Sequence, residues 1–334
     1  TYNRGDRLLS EITGYLGELD ERWPILILDN GSNKTCEHYE EISNLCDAHD
    51  HINYYKQDTN VLLHGNLISM FNMVKSQFVL VIADEDVPNF LFLRTFYDFL
   101  SENPQIGSIR TSVQPTSGHK GVNSTIFADK VFQPGAQGIS EFSVIGNYIS
   151  GQIWNVQLMN EKGIVQQLEQ NADAHSSYPH LYLNILVAAQ AQTMITSAVG
   201  VLEGPNYGDS SLVEVSGYFG AYSYGKRIDQ FIALRDALME VFSASTPSEF
   251  IAKDFYNAYI KLYAKFLMLI CGANARQYAK HGLDIKTIAN AFSLFAMAAI
   301  TRVPEYESYE GQLIQNVENV KDSLLSKYGP MVGY

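Results

Sequence analysis

The chain has 334 residues, of which 46% are hydrophobic and 18% are charged, a balance typical of globular proteins. Its net charge of -13 argues against nucleic acid and anionic membranes as partners, because both are bound through surfaces rich in Lys and Arg. The three cysteines form no C-x-x-C pair, which predicts reduced thiols and a cytoplasmic protein. We also expect neither a secretory signal nor a transmembrane helix.

Helix and strand patterns alternate along the first part of the chain. Apolar spacing predicts helices over 8–16 and 65–75, and short apolar runs predict strands over 24–28, 52–55 and 78–82. The alternation predicts an α/β domain with a mostly parallel, doubly wound sheet. Because such a domain normally begins with a strand and residues 1–4 are turn-like, we expect a short strand upstream of residue 1.

The strand predicted over 78–82 runs directly into three acidic residues, Asp84, Glu85 and Asp86. Unpaired carboxylates beside an apolar core are costly unless something neutralises them. Mg²⁺ or Mn²⁺ can do so, since these cations take one or two carboxylates together with phosphate oxygens. Ligands of open α/β sheets bind at the carboxyl ends of the strands. The sequence therefore predicts a cation and ligand site here, with a solvated acidic loop as the alternative.

The remaining patterns predict a second, helical region. Beyond residue 90 we expect helices over 91–101, 164–170 and 179–190, strands over 106–110, within 144–156 and over 193–195, and a surface excursion or hairpin over 114–138. A Gly/Tyr-rich linker at 217–225 precedes helices predicted over 226–243, 248–275, 284–300 and 306–328. We therefore divide the chain into an α/β domain, 1–222, and an all-helical C-terminal region, 223–334. The apolar faces of this tail predict packing on the α/β domain or a homo-oligomer interface.

Four segments occur in an informative order: Thr1-Tyr2-Asn3-Arg4, Asp29-Asn30-Gly31-Ser32, Asn60-x-x-x-His64-Gly65-Asn66 and Asp84-Glu85-Asp86. This set resembles the family 2 glycosyltransferases of the Rossmann-like GT-A fold, and among them bacterial enzymes that build O-antigen, capsule or other surface polysaccharide. The resemblance covers about residues 1–200. It implies a nucleoside-diphosphate sugar as donor, a glycan or lipid-linked glycan as acceptor, and Mn²⁺ or Mg²⁺ as cofactor.

The resemblance also implies roles for individual residues. The nucleotide-base pocket would be formed by Thr1, Tyr2, Asn3, Arg4, Asp29 and Asn30. His64 and Asn66 would lie beside the nucleotide-sugar. Asp84 would reach the ribose or metal-bound water, Asp86 would ligate the metal directly, and Glu85 would face away.

Several of these residues have a plainer alternative. Asp29 could form an N-cap or Asx-turn rather than accept a hydrogen bond from the base or ribose. Gly65 could be only a turn residue. Trp154 lies in a segment that resembles the family's sugar and acceptor cleft, where it could stack on a sugar or belong to the core.

The main departure from the family concerns the catalytic base, an Asp that family members keep at a helix start after the metal motif. The corresponding segment here is Ser177-Tyr178-Pro179-His180. His180 is a candidate base, because a neutral imidazole accepts protons near neutral pH. It could also ligate the metal, or serve only as a capping or packing residue. Asp173 and His175 are alternative bases.

These inferences predict an inverting, metal-dependent glycosyltransferase of the cytoplasm, held peripherally at the inner face of the membrane if its acceptor is lipid-linked. A sugar nucleotidyltransferase shares the architecture, but it needs an N-terminal Gly-rich loop with a basic residue, which no segment matches. A non-catalytic GT-A-like scaffold is the other alternative, because the base is not the usual one. Metal-dependent release of a nucleoside diphosphate separates the enzyme from the scaffold.

Overall fold

The computed structural model describes residues 1–34, 36–115, 126–143, 145, 148–171, 178–204, 224–245 and 306–328, together with positions 284, 286, 287, 289, 290, 293, 294 and 297. The chain divides into two compact units, Thr1–Tyr207 and Gly208–Tyr334. The boundary predicted at residue 222 lies outside the described residues.

The first unit begins with a small parallel sheet covered by two helices. Strand β1 (Ile25–Asp29) pairs with strand β2 (Ile52–Lys56), as predicted from the two apolar runs. Helices α1 (Gly5–Tyr15) and α2 (Cys36–Asp47) cover this sheet. Helical spacing puts the apolar residues of each helix on one face, so that they bury together with the strands. The resulting cluster contains Leu8, Ile12, Ile27, Tyr39, Ile42 and Ile52.

The rest of the first unit is built on a six-stranded sheet. Its strands are β3 (Phe78–Val81), β4 (Val87–Pro88), β5 (Ile106–Pro115), β6 (Lys130–Phe132), β7 (Gln152–Asn155) and β8 (Gln192–Glu203). Its helices are α3 (Leu62–Met73), α4 (Phe90–Glu102), α5 (Val156–Glu161), α6 (Ile164–Gln170) and α7 (Pro179–Gln190). A 3-10 turn lies at Leu16–Glu18 and a π-helical segment at Gly138–Phe142.

Strand directions in the larger sheet are mixed. The strands lie in the order β3-β7-β5-β8-β4, and β6 also pairs with β8. The β5–β8 pair is parallel, whereas the β3–β7, β5–β7, β4–β8 and β6–β8 pairs are antiparallel. The α/β class is confirmed, but the mostly parallel arrangement holds only for β1–β2 and β5–β8. A parallel pair needs a long crossover, usually an α-helix, and the described chain between β5 and β7 contains none.

Helices cover both faces of the six-stranded sheet. On one face, Phe92 of α4 packs with Ile109 and Ile153. On the other face, Trp154 meets Phe71 of α3, with ring centroids 5.6 Å apart. Successive residues of a strand point to opposite faces, so Ile153 and its neighbour Trp154 mark the two sides of the sheet. Strand β3 is an edge of the described sheet, and its residues are half-buried rather than buried on both faces as predicted.

The second unit is described mainly through two helices, α8 (Tyr224–Ser245) and α9 (Tyr306–Tyr328). They match the helices predicted over 226–243 and 306–328. Their buried residues recur every three or four positions on one face: Leu234, Ala237 and Leu238 in α8, Leu313 and Val317 in α9. The helix predicted over 248–275 lies outside the described residues. Among the helices that are described, none has the length and apolar character needed to cross a membrane.

Candidate active site

The first four residues are fixed against the carboxyl end of β1. The backbone nitrogen of Thr1 donates to the carbonyl of Leu28 at 2.8 Å, and the carbonyl of Thr1 accepts from the backbone nitrogen of Asn30 at 2.9 Å. Asn3 adopts a left-handed φ of 54° and accepts, through Oδ1, from the backbone nitrogen of Asn33 at 2.9 Å. These contacts direct the following residue away from β1 and toward the end of β3.

The guanidinium of Arg4 binds two carboxylates of the acidic turn that follows β3. Its Nη1 donates to Asp84 Oδ1 at 2.8 Å and to Glu85 Oε2 at 2.6 Å. The Asp84 side chain is 7% exposed, whereas that of Glu85 is 28% exposed. The expectation that Glu85 faces away is wrong, because its carboxylate lies beside that of Asp84 on the same nitrogen.

The pKa values of the two carboxylates are shifted in opposite directions. Burial alone would raise the pKa of Asp84, but nearby positive charge, including that of Arg4, holds it below the ordinary value. Burial, and then the hydrogen bond with Asp84, raise the pKa of Glu85 above its ordinary value. When both carboxylates are ionised, the cluster with Arg4 keeps one net negative charge and attracts a further cation.

Asp86, the predicted direct metal ligand, lies inside the protein and is 3% exposed. Its Oδ2 accepts from the Tyr148 hydroxyl at 2.7 Å and from Ser150 Oγ at 2.5 Å, and its Oδ1 accepts from the backbone nitrogen of Gly204 at 3.0 Å. Burial raises the pKa of Asp86, against the effect of these donors. Because both oxygens accept hydrogen bonds inside the protein, Asp86 anchors the acidic turn, and its role as direct metal ligand stays a prediction.

Further residues stabilise the hydrogen-bonded position of Asp86. Arg110 is fully buried and donates from Nη1 to the carbonyl of Ser150 at 2.6 Å, while burial lowers the pKa of Arg110 to about 10. Gly204 passes so close to the turn that a Cβ there would lie 1.6 Å from the carbonyl oxygen of Glu85. Sequence reasoning missed these residues and Tyr148. They give no local signal, because they reach Asp86 or its partner Ser150 only once the strands of the sheet are assembled.

Asp29, expected to bind the base or ribose, is also fully buried. Its Oδ1 accepts from the backbone nitrogen of Ser32 at 2.9 Å, three residues later, and its Oδ2 accepts from the Tyr54 hydroxyl at 2.8 Å. The first bond closes a local turn of the kind that Asp commonly forms. The structure therefore agrees with the Asx-turn alternative and does not expose Asp29 to a ligand.

Asn30 ties the end of β1 to the start of α3. Its Nδ2 donates to Asn60 Oδ1 at 3.0 Å, and its Oδ1 accepts from the backbone nitrogen of Val61 at 2.9 Å. His64 and Asn66, expected beside the nucleotide-sugar, lie in the first turns of α3 and are half-buried. Asn66 Oδ1 is buried and accepts no hydrogen bond within the described part of the chain, so it stays a candidate for a ligand contact.

Two further predicted site residues lie in the core. Trp154 is fully buried, so it belongs to the core and offers no face to a sugar. His180 is the second residue of α7 and is 2% exposed, with its ring edge-on to Tyr178 at 5.5 Å. A base must contact the acceptor hydroxyl, and the structure does not place His180 where it could do so. Asp173 and His175 lie outside the described residues.

The carboxylates of the acidic turn suit a hard divalent cation. Among the described residues, no group of three or more His, Cys, Asp or Glu side chains could enclose a metal ion. Asp84 and Glu85 nevertheless fit Mn²⁺ or Mg²⁺, because such ions bind through one or two carboxylates and complete their coordination with phosphate oxygens and water. The 28% exposure of the Glu85 side chain and its position beside Asp84 on the same guanidinium support this fit.

The domain is of the α/β class and places these carboxylates at the end of a strand, where open α/β sheets bind their ligands. Residues 1–154 match the family model described as Glycosyl transferase family 2. This match covers 154 of the 334 residues; it confirms the expected GT-A fold and supports a glycosyltransferase.

Two solved structures resemble the chain at low sequence identity. Staphylococcus aureus TarS 1-349 is 14% identical, with a TM-score of 0.48 over 97% of this chain and 88% of that chain. The mannosyltransferase PcManGT from Pyrobaculum calidifontis, solved in complex with GDP-Man and Mn²⁺, is 11% identical, with a TM-score of 0.48 over 97% of this chain and 85% of that chain. No curated protein sequence matches the chain.

Proposed function

We propose that the protein is an inverting, metal-dependent glycosyltransferase that moves a sugar from a nucleoside-diphosphate donor to a hydroxyl of a growing bacterial surface glycan. The observation that carries this proposal is the pair of carboxylates, Asp84 and Glu85, set beside Arg4 at the end of β3 within the family 2 segment. The bacterial glycan acceptor is supported by the resemblance of the four sequence segments alone.

The proposed donor site uses the strand-end segments that the fold brings together. Asp84 and Glu85 would hold Mn²⁺ or Mg²⁺ by their carboxylates, while Asp86 keeps the turn in place from below. A divalent cation there supplies positive charge that stabilises the departing nucleoside diphosphate. Asn66 offers a buried acceptor oxygen for a hydroxyl of the donor.

A single displacement at the anomeric carbon also needs a group that accepts the proton of the acceptor hydroxyl. His180 is buried and is a poor candidate. We therefore assign the base to Asp173 or His175, the two alternatives that the sequence offers. A lipid-linked acceptor would bring this cytoplasmic enzyme to the inner face of the membrane.

A thermal-shift panel tests the proposed donor class. UDP, GDP, CDP and dTDP are each added to the full chain with Mn²⁺ and, separately, with EDTA. Ligand at about 100 times its Kd stabilises the folded state by about 2.7 kcal/mol, so the correct nucleotide raises the midpoint of unfolding and the others do not. We expect one nucleotide to act, and only with Mn²⁺.

Two results would contradict the proposal in different ways. If none of the four nucleotides shifts the unfolding midpoint with Mn²⁺, the donor class is wrong. If one nucleotide binds but its sugar-linked form never releases the diphosphate, even with mixed glycan acceptors, the protein is a scaffold that keeps the fold without the reaction.

A further inference from the structure

The positive group that the structure sets against the acidic turn is the side chain of Arg4. One nitrogen, Nη1, lies 2.8 Å from Asp84 and 2.6 Å from Glu85. A guanidinium and a divalent cation both bind carboxylates through the same oxygen lone pairs. Arg4 and a metal ion at this turn are therefore competitors for the same two side chains.

We propose that Arg4 exchanges partners when the donor binds. It holds Asp84 and Glu85 until a divalent cation and a diphosphate arrive together, and it then binds the diphosphate. The inference rests on the proposed function, since it takes a nucleoside diphosphate and a divalent cation as the ligands of this site. It replaces the earlier expectation that Arg4 belongs to the base pocket.

The main chain at Arg4 is fixed, so only the side chain has to move. The backbone nitrogen of Arg4 donates to the Tyr39 hydroxyl at 3.0 Å, and its carbonyl accepts from the backbone nitrogen of Leu8 at 3.2 Å in the first turn of α1. The side chain is 20% exposed. A guanidinium carries five N–H donors, and the two bonds to the carboxylates use only Nη1. Donors therefore remain to bind phosphate oxygens, which guanidinium groups recognise well.

Charge makes the exchange cooperative. Two ionised carboxylates and Arg4 leave one net negative charge, which attracts a divalent cation, but a cation that binds alone would enter beside a guanidinium that repels it. A diphosphate alone would meet the carboxylates, which repel it in turn. When both ligands bind, the cation neutralises Asp84 and Glu85 while Arg4 faces phosphate. Each ligand then raises the affinity for the other by the same factor, as linkage requires.

Titration calorimetry on the full chain tests the exchange. Mn²⁺ is titrated alone, and UDP, GDP, CDP and dTDP are titrated with and without saturating Mn²⁺. In Arg4→Met we expect Mn²⁺ alone to bind about tenfold tighter and the recognised diphosphate, with Mn²⁺, to bind about tenfold weaker, within the usual range of coupling between ligands. Arg4→Lys keeps the charge and should fall between Arg4→Met and the natural protein. Arg22→Met, which removes an exposed guanidinium paired with Asp20, is the matched control and should change neither affinity.

Only opposite changes in the two affinities support the proposal. If the natural protein binds a diphosphate with Mn²⁺ but Arg4→Met changes neither affinity, or changes both in the same direction, the exchange is wrong and the proposed function stands. If the natural protein binds none of the four diphosphates, the proposed function itself fails. Should Arg4→Met not fold, Arg4→Lys carries the test, with the same opposite changes at smaller amplitude.

Discussion

The chain carries acidic residues at the ends of two strands, and the fold uses them in opposite ways. At the end of β1, Asp29 is fully buried, and both of its oxygens accept hydrogen bonds, one from a backbone N–H and one from a tyrosine hydroxyl. At the end of β3, Asp84 and Glu85 face the guanidinium of Arg4, and Glu85 keeps 28% of its side chain exposed.

Asp86 behaves like Asp29, although it follows Glu85 directly in the chain. Three donors from two other strands and their flanking segments occupy its oxygens. The comparison shows that a position at a strand end does not decide the role of a carboxylate. The donors supplied by the surrounding structure contribute to it, because each hydrogen bond accepted from inside leaves a carboxylate with fewer lone pairs for a ligand.

Substitution of Glu85 is expected to have the largest effect, and it tests the contrast between the two strand ends most directly. Glu85→Gln keeps the shape of the side chain but removes the charge that we assign to the cation. We expect kcat to fall about 10²–10³-fold, the loss typical when one preorganised electrostatic contact is removed. Because Glu85 is partly exposed, the midpoint of thermal unfolding should change little. Steady-state turnover of the donor and a melting curve measure the two effects.

Glu102→Gln is the matched control for this substitution, since Glu102 is exposed at the end of α4. It should leave both turnover and melting unchanged. Near-normal turnover in Glu85→Gln, together with a large loss of stability, would show that Glu85 is as structural as Asp29.

Substitution of Asp86 should have the opposite effect to that of Glu85, with a large change in stability. Asp86→Ala leaves the donors of Tyr148, Ser150 and Gly204 without their acceptor. Each buried group left unsatisfied costs about 1–3 kcal/mol, so we expect a loss of about 3 kcal/mol in the free energy of unfolding. Denaturant unfolding of the natural protein, of Asp86→Ala and of Asp86→Asn measures this loss of stability. Asp86→Asn retains one acceptor oxygen and should lose less. An Asp86→Ala protein of normal stability that fails to bind Mn²⁺ would return Asp86 to the role of metal ligand.

Substitution of Tyr54 is expected to have the smallest effect, and it tests the structural role of Asp29 at the end of β1. Tyr54→Phe removes the hydroxyl that donates to Asp29 Oδ2. We expect a loss of about 1 kcal/mol in the free energy of unfolding, the usual net value of one hydrogen bond. The donor KM should stay within about twofold, since Asp29 does not face the ligand. A donor KM raised tenfold or more, with stability unchanged, would place Asp29 back in the nucleotide pocket.

Much of the fold was accessible from local patterns. The apolar runs at 24–28 and 52–55 and the helical pattern over 179–190 correspond closely to β1, β2 and α7. These patterns depend on neighbouring residues only. The direction of β7 was not accessible in the same way, because it depends on how the chain returns after β5 and not on the residues of β7 itself.

The site was predicted only in part, because some of its contacts also join residues that lie far apart in the sequence. The acidic turn stands out by composition and the segment containing Arg4 by its resemblance to the family, and the structure joins them across 80 residues of sequence. Which carboxylate faces a ligand depends on donors at Tyr148 and Gly204, 62 and 118 residues from Asp86. Glu85 and Asp86 look alike in the sequence. The donors that precede β7 and follow β8 distinguish the buried residue from the exposed one.

The hydrogen bond from Gly204 to Asp86 also allows opening of the acidic turn to be followed by hydrogen exchange. The amide hydrogen of Gly204 is buried and held by a carboxylate oxygen, so it exchanges with solvent deuterium only when the turn opens. Its exchange rate therefore measures how often the acidic turn departs from its anchored form, without any substrate or turnover. Ligands that tighten the turn would slow this one amide, while amides on the far side of the sheet would keep their own rates.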